Sequence, residues 1–134
     1  MTVRPATPAD GPAVRAIQRV AIAEPVPELL GLALGEGGPR CLVADEDGPV
    51  GYALALADGA TCYVAELAVA PGHRREGHGT ALLEALASGP ASQLRLSVRA
   101  ADDGARAFYR ARGFEVVGRT DRFDGEGLVL AREA

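Results

Sequence analysis

The pattern of apolar and polar positions divides the chain into alternating helical and extended stretches. Residues 2–5 predict a short edge strand ending at Pro5. Thr7, Pro8 and Asp10 supply helix-start chemistry, with Gly11 and Pro12 leaving the capping residue undecided. Val14, Ile17, Val20 and Ala21 recur at helical spacing, which predicts a helix to about Ala23, and Pro25 and Pro27 break it. E-L-L-G-L-A-L at 28–34 predicts a second short helix and G-E-G-G-P at 35–39 a loop. The period then turns extended. R-C-L-V-A-D at 40–45 and V-G-Y-A-L-A-L at 50–56 predict strands joined by the hairpin signal E-D-G.

Residues 62–70 form an almost continuous apolar run, as a central buried strand should, with Glu66 its one charge. Ala81, Leu82, Leu83 and Leu86 mark a helix from Gly77 to Ala87, stopped by S-G-P at 88–90. Leu94, Leu96 and Val98 alternate as a strand, and a helix from about Gly104 to Arg112 ends at Gly113. F-E-V-V-G at 114–118 and G-L-V-L-A at 127–131 predict a closing hairpin around a polar connection. The order β α (α) β β β α β α β β mixes antiparallel hairpins with one β-α-β unit over residues 62–99. It predicts one α/β domain over residues 1–134, a mixed sheet covered by helices on both faces.

Composition narrows the function classes. The chain has 134 residues, near the commonest single-domain size, and can bury a sizeable core without a disulfide or metal staple. Hydrophobic residues at 48% and charged ones at 24% mark a globular chain. All 14 basic residues are arginine; against 18 acidic ones they give a net charge of −4, which argues against sequence-independent nucleic-acid binding. Cys41 and Cys62 form no C-x-x-C pair and are expected as buried thiols in a reducing compartment. The opening M-T-V-R-P-A-T-P-A-D carries no apolar leader core, and no stretch reaches the length of a membrane span, so a soluble, cytoplasmic protein is expected.

The chemistry concentrates in E-L-A-V-A-P-G-H-R-R-E-G-H-G-T-A-L-L, residues 66–83. A strand ends, a loop carries two arginines and two glycines, and a helix begins at once. Unpaired amides and the positive dipole end of a helix N-terminus attract an anion. Gly77 and Gly79 let the backbone approach phosphate oxygens, while Arg74, Arg75 and the Thr80 hydroxyl add donors. A P-loop reading fails because His78 stands where its lysine belongs and the chain has no lysine. A dinucleotide fingerprint is weak because Leu82 replaces the third glycine. A plain strand-to-helix turn with surface arginines is the bland alternative. His73 and His78 have no cysteine or carboxylate at metal-ligand spacing, so both are expected at the surface and no metal is expected.

R-R-E-G-H-G at 74–79 resembles the [RQ]-x-x-G-x-[GA] acyl-CoA motif of the GNAT superfamily of N-acetyltransferases. L-A-V-A-P precedes it and A-L-L follows. A-R-A-F-Y-R-A-R-G-F at 105–114 resembles the family's second signature, and V-R-P-A-T-P-A-D at 3–10 its opening. The resemblance spans nearly the whole chain and implies the GNAT-like acyltransferase fold, a central mixed sheet of six or seven strands flanked by helices.

It also implies a reaction, acetyl transfer from acetyl-CoA to a primary amine of a small molecule or peptide in a ternary complex. No metal is implied, and a homodimer is left open. The donor diphosphate would rest on Arg74, Arg75, Glu76, Gly77, His78, Gly79 and Thr80. The pantetheine arm would lie along Leu67, Ala68 and Val69, with the Val69 amide as an oxyanion donor worth on the order of 10²–10³ in rate. Glu66 is the candidate base, because an amine must lose a proton to react and a carboxylate in apolar surroundings suits that task. Strict alternation would set it on one face with Cys62, Val64 and Ala68; the alternative is a structural carboxylate at a sheet opening.

Tyr109 matches the family's usual general acid, against the alternative of a second core aromatic. Phe108 and Tyr109 are expected to point apart, one into the core and one toward the sulfur. Asp102 stands where the family often has an asparagine that contacts the donor. The acceptor would cross residues 22–38 and 119–126, where Glu24, Glu28, Glu36, Asp121, Asp124 and Glu126 outnumber Arg119 and Arg122, an excess suited to a primary amine or polyamine-like acceptor; a solvated polar rim is the alternative explanation of the same charges. The rival reading is a module that binds acyl-CoA without catalysis.

Overall fold

The computed structural model describes residues 2–23, 25–35 and 38–134. Seven strands form one sheet: β1 (Thr2–Pro5), β2 (Arg40–Asp45), β3 (Pro49–Asp58), β4 (Thr61–Val69), β5 (Gln93–Arg99), β6 (Glu115–Thr120) and β7 (Gly127–Glu133). Their spatial order is β1-β2-β3-β4-β5-β7-β6. Every neighbouring pair is antiparallel except β4 and β5, which run parallel. Helix α3 (His78–Ala87) makes that parallel crossover, as a β-α-β unit requires.

The first helix starts later than the sequence suggests. Pro8–Asp10 form a 3-10 turn, and α1 occupies Gly11–Ala21. Asp10 decides this: its carboxylate accepts the Thr7 amide at 2.8 Å and takes the two terminal Arg4 guanidinium nitrogens at 2.8 and 2.9 Å. One side chain therefore caps the turn and ties it to β1.

Helices α1 and α2 (Pro27–Leu34) cover one face of the sheet. Val14, Ile17, Leu30 and Leu34 pack there on Cys41, Val43, Tyr52, Leu54 and Ala68. On the other face α3 buries Leu82, Leu83 and Leu86 against Leu42, Ala53, Val64, Leu94 and Leu96. Full burial of each such leucine stabilises by about 1.5–3 kcal/mol. Helix α4 (Asp103–Ala111) lays Ala105, Phe108 and Tyr109 on the same layer and ends at Gly113, whose φ of 90° closes the helix. Cys41 and Cys62 are both buried and free, and burial pushes the Cys41 thiol up to about 12.

Two irregularities in β4 shape the centre of the sheet. Leu54 faces Glu66 while Ala55 faces Val64, so Ala65 is an extra residue on β4, a bulge. The bulge corrects the expected alternation. Cys62 and Val64 belong to the α3 face, whereas Glu66 and Ala68 lie with Leu54 and Tyr52 on the α1 face. The β4–β5 ladder covers only Thr61–Tyr63 against Gln93–Arg95, and beyond it the two strands part.

Candidate functional site

The parted strands open into a cleft of about 550 Å³. Ala70 donates its amide to Val50 of β3 at 2.8 Å. Backbone groups alternate sides along a strand, so those of Leu67 and Val69 face the open edge. The Arg74 side chain reaches that edge and donates to the Val69 carbonyl at 3.3 Å. Leu67, Ala68 and Val69 all line the cleft.

The loop after β4 is held in left-handed backbone at two positions, Arg75 with φ of 64° and Gly77 with φ of 86°. Alternating hand turns successive amides toward one side, a concavity that suits an anion. At Arg75 the geometry is strained, the kind of cost found where a chain binds something. Helix α3 starts directly after Gly77 with no side-chain cap, and its first internal bond runs from Ala81 to Gly77. The amides of Gly79 and Thr80 therefore precede any helical carbonyl that could accept them. Arg74, Arg75, Gly77, His78, Gly79 and Thr80 line the cleft; Glu76 does not. Its carboxylate turns instead to His73 and His78, 3.2 Å from each.

Sequence reasoning missed Arg112. It lines the cleft, donates to the Thr80 hydroxyl at 2.8 Å and lies 3.9 Å over the Phe108 ring. A third guanidinium thus stands at the anion-attracting helix end. Its position inside A-R-A-F-Y-R-A-R-G-F was the available signal.

Phe108 and Tyr109 do not divide between core and cleft. Both line the cleft and both pack on the core, with ring centroids 5.1 Å apart, edge to face. Phe114 touches Tyr109 in the same way at 5.3 Å. Burial, with the Asp102 charge adding to it, pushes the Tyr109 phenol up to about 12, so it holds its proton throughout the neutral range. Asp102 caps α4 by accepting the Ala105 amide at 3.0 Å.

Glu66 lies outside the cleft lining and is 4% exposed. Oε1 accepts from Gln18 Nε2 at 2.9 Å and from the Tyr52 hydroxyl at 2.7 Å. Oε2 accepts the Val26 amide at 2.8 Å. One carboxylate thereby joins α1, the chain leading into α2, and β3. Burial and the Glu66 charge push the Tyr52 phenol well above its ordinary value, so it is the donor of that pair. Of the roughly four acceptor positions of a carboxylate, one on Oε2 remains.

A second hollow of about 250 Å³ lies on the β4–β5 flank, lined by Val26, Leu29, Leu56, Tyr63, Ala65 and Ser97 among others. Among the described residues, its one charged lining residue is Arg122. Of the acidic residues expected near the acceptor, one is paired and two are outside the described residues. Glu126 pairs with Arg119 at 3.1 Å, the Asp124 carbonyl accepts Arg99 at 2.8 Å, and Glu24 and Glu36 lie outside the described residues.

The histidines also differ from expectation. His73 is half-buried and His78 is buried, its side chain 2% exposed. Carboxylates do approach them: Glu76 from the loop and Glu46 from the β2–β3 turn. Glu46 is distant in sequence, so no local spacing could reveal it.

A mixed sheet parted between two parallel strands is the acyltransferase architecture of the GNAT fold. Ard1 from Thermoplasma volcanium shares it with a TM-score of 0.84 at 22% identity, over 99% of this chain and 97% of that one. The ribosomal-protein-S18-alanine N-acetyltransferase from Escherichia coli gives 0.82 at 24% identity, over 98% and 92%. Arabidopsis thaliana NAA60, solved with a bisubstrate analogue, gives 0.82 at 17% identity, over 98% and 97%. At these identities the likeness shows the fold. No curated protein matches the chain by sequence. Residues 37–116, more than half of the chain, match the family model described as the acetyltransferase (GNAT) domain. The chain belongs to the GNAT acetyltransferase family. No helix among the described residues is long and apolar enough to cross a membrane.

Proposed function

We propose that this protein is an N-acetyltransferase that moves the acetyl group of acetyl-CoA onto a primary amine of a small molecule or peptide. The observation that carries this reading is a single cleft joining three features: an open strand edge at Leu67 and Val69, a left-handed loop with arginines at a helix start, and the Tyr109 ring. The diphosphate rests on the loop and on the amides opening α3, with Arg74, Arg75 and Arg112 around it. The pantetheine arm pairs with the open edge of β4, displacing Arg74 from the Val69 carbonyl.

The amine nitrogen attacks the thioester carbon, forming the C–N bond and an oxyanion that the Val69 amide receives. The amine proton passes through water to the remaining acceptor position of Glu66. The C–S bond then breaks, and Tyr109 gives its proton to the departing sulfur. Solvent restores both groups. The acceptor enters by the hollow beside Ala65 and Val26, whose apolar walls and Arg122 suit an amine with apolar or anionic neighbours.

The three donors on Glu66 also favour a second reading, an acyl-CoA-binding module with no turnover. Acetyl-CoA incubated with the protein and a panel of amines and peptide N-termini separates the two. Acceptor-dependent release of free CoA thiol is expected. Tight acetyl-CoA binding with no release across the panel supports the module, and no acetyl-CoA binding removes both readings.

A further inference from the structure

The loop that approaches the cleft carries a second constellation beside the donor groups, two of whose members, His73 and His78, also line the cleft. His73 Nδ1, His78 Nε2, a Glu46 oxygen and a Glu76 oxygen all lie within 4.8 Å of one another. Each nitrogen is near both carboxylates: 3.8 and 3.2 Å for His73, 3.0 and 3.2 Å for His78. Two carboxylates brought this close repel each other, and a positive centre among the four groups would offset their charge. A tetrahedron with zinc–ligand bonds of about 2.0–2.1 Å has edges of about 3.3–3.4 Å; the four nitrogen–oxygen separations bracket that length, and side-chain rotation would draw in the widest pair, up to 4.8 Å apart.

We propose that Glu46, His73, Glu76 and His78 form a zinc site. Two imidazoles with two carboxylates suit a borderline ion such as zinc, whereas calcium and magnesium favour all-oxygen shells. Four protein ligands leave no open position, so the site is structural. It is also prepared in advance. His78 is buried at the start of α3, and Glu46 sits in a turn fixed by left-handed Asp47 and Gly48, where the Gly48 amide donates to Asp45 at 2.8 Å.

Bound zinc would pin the β2–β3 turn to the loop after β4. It would also offset two negative charges beside the cradle. If the cradle holds a diphosphate, as the proposed function has it, zinc should therefore tighten acetyl-CoA binding.

The test uses the untagged full chain, stripped with a chelator and titrated with zinc in the absence of acetyl-CoA. Binding of one equivalent, a higher Tm and a tetrahedral visible spectrum with cobalt are expected. Glu46→Gln and His73→Ala, both at accessible positions, should each weaken zinc binding by roughly 100-fold or more, removal of a ligand costing at least as much as loss of an outer hydrogen bond. Absence of stoichiometric uptake by the wild type, an octahedral cobalt spectrum, or full affinity in both variants would overturn the site. Acetyl-CoA is titrated separately. A protein that takes zinc but not acetyl-CoA loses the proposed function and keeps the metal site.

Discussion

Glu66→Gln separates a proton acceptor from a structural carboxylate. The side chains are nearly isosteric, but the new amide must present an N–H₂ group where three donors now converge. With its nitrogen at the Oε1 position, it can donate to a flipped Gln18 and to the Tyr52 oxygen. The Tyr52 proton then loses its acceptor in a side chain that is 0% exposed. With its nitrogen at the Oε2 position, it opposes the Val26 amide. Either arrangement orphans one donor, at a cost of about 1–3 kcal/mol, which lowers Tm by roughly 3–12 °C for a chain of this size. If Glu66 also takes the amine proton, kcat falls by roughly 10²–10⁴ while acetyl-CoA affinity holds. Thermal unfolding, donor titration and initial rates of CoA thiol release measure the three quantities on one preparation. Wild-type kcat with the expected loss of Tm would leave Glu66 a purely structural role. An unchanged Tm would refute the hydrogen-bond account itself.

Gly77→Ala forces a side chain into backbone with φ of 86°, at a cost of roughly 1–2 kcal/mol, and Gly79→Ala brings a Cβ to 3.1 Å from Phe108 Cζ. Both should raise the KM for acetyl-CoA more than they lower kcat; unchanged donor affinity in both would contradict the cradle. Tyr109→Phe should lower kcat by roughly 10²–10⁴, and the wild-type rate should show no loss from Tyr109 ionisation below about pH 11, its phenol being pushed up to about 12. Retention of kcat in that variant would reduce Tyr109 to a packing residue. Asp10, held at about 2 by the Arg4 guanidinium against an ordinary 3.8, stays ionised in the folded chain where the unfolded chain takes up a proton. Its stabilisation is therefore complete above about pH 4 and lost as pH falls through about 2. Acid titration of unfolding should show this component in the wild type and not in Asp10→Asn; equal acid sensitivity would refute the assignment.

The elements were legible because each carried a local signature: the 3.6-residue period of Val14 and Ile17, the E-D-G turn, and the glycine loop running into Leu82 and Leu83. The features that escaped depend on contacts distant in sequence. Nothing near Glu66 announces Gln18 or Tyr52, 48 and 14 residues away, yet those side chains fix where its lone pairs point. Glu46 reaches the histidines only because the β2–β3 turn ends beside α3. The bulge was invisible for a different reason. In a run as uniformly apolar as V-A-E-L-A-V, either register buries hydrophobic side chains, so the pattern does not reveal which residue is extra.

That extra residue gives the central strand two differently facing halves. Ahead of Ala65, Cys62 and Val64 serve the layer beneath α3; after it, Glu66 and Ala68 serve the layer beneath α1. The bulge makes this possible by absorbing Ala65, so that Val64 and Glu66, two positions apart, serve opposite faces. Regular pleating of the same full-length run, Ala65 included, would set Glu66 on the face of Val64, among Leu82 and Leu83 and away from Tyr52, and turn the open edge at Val69 toward β3.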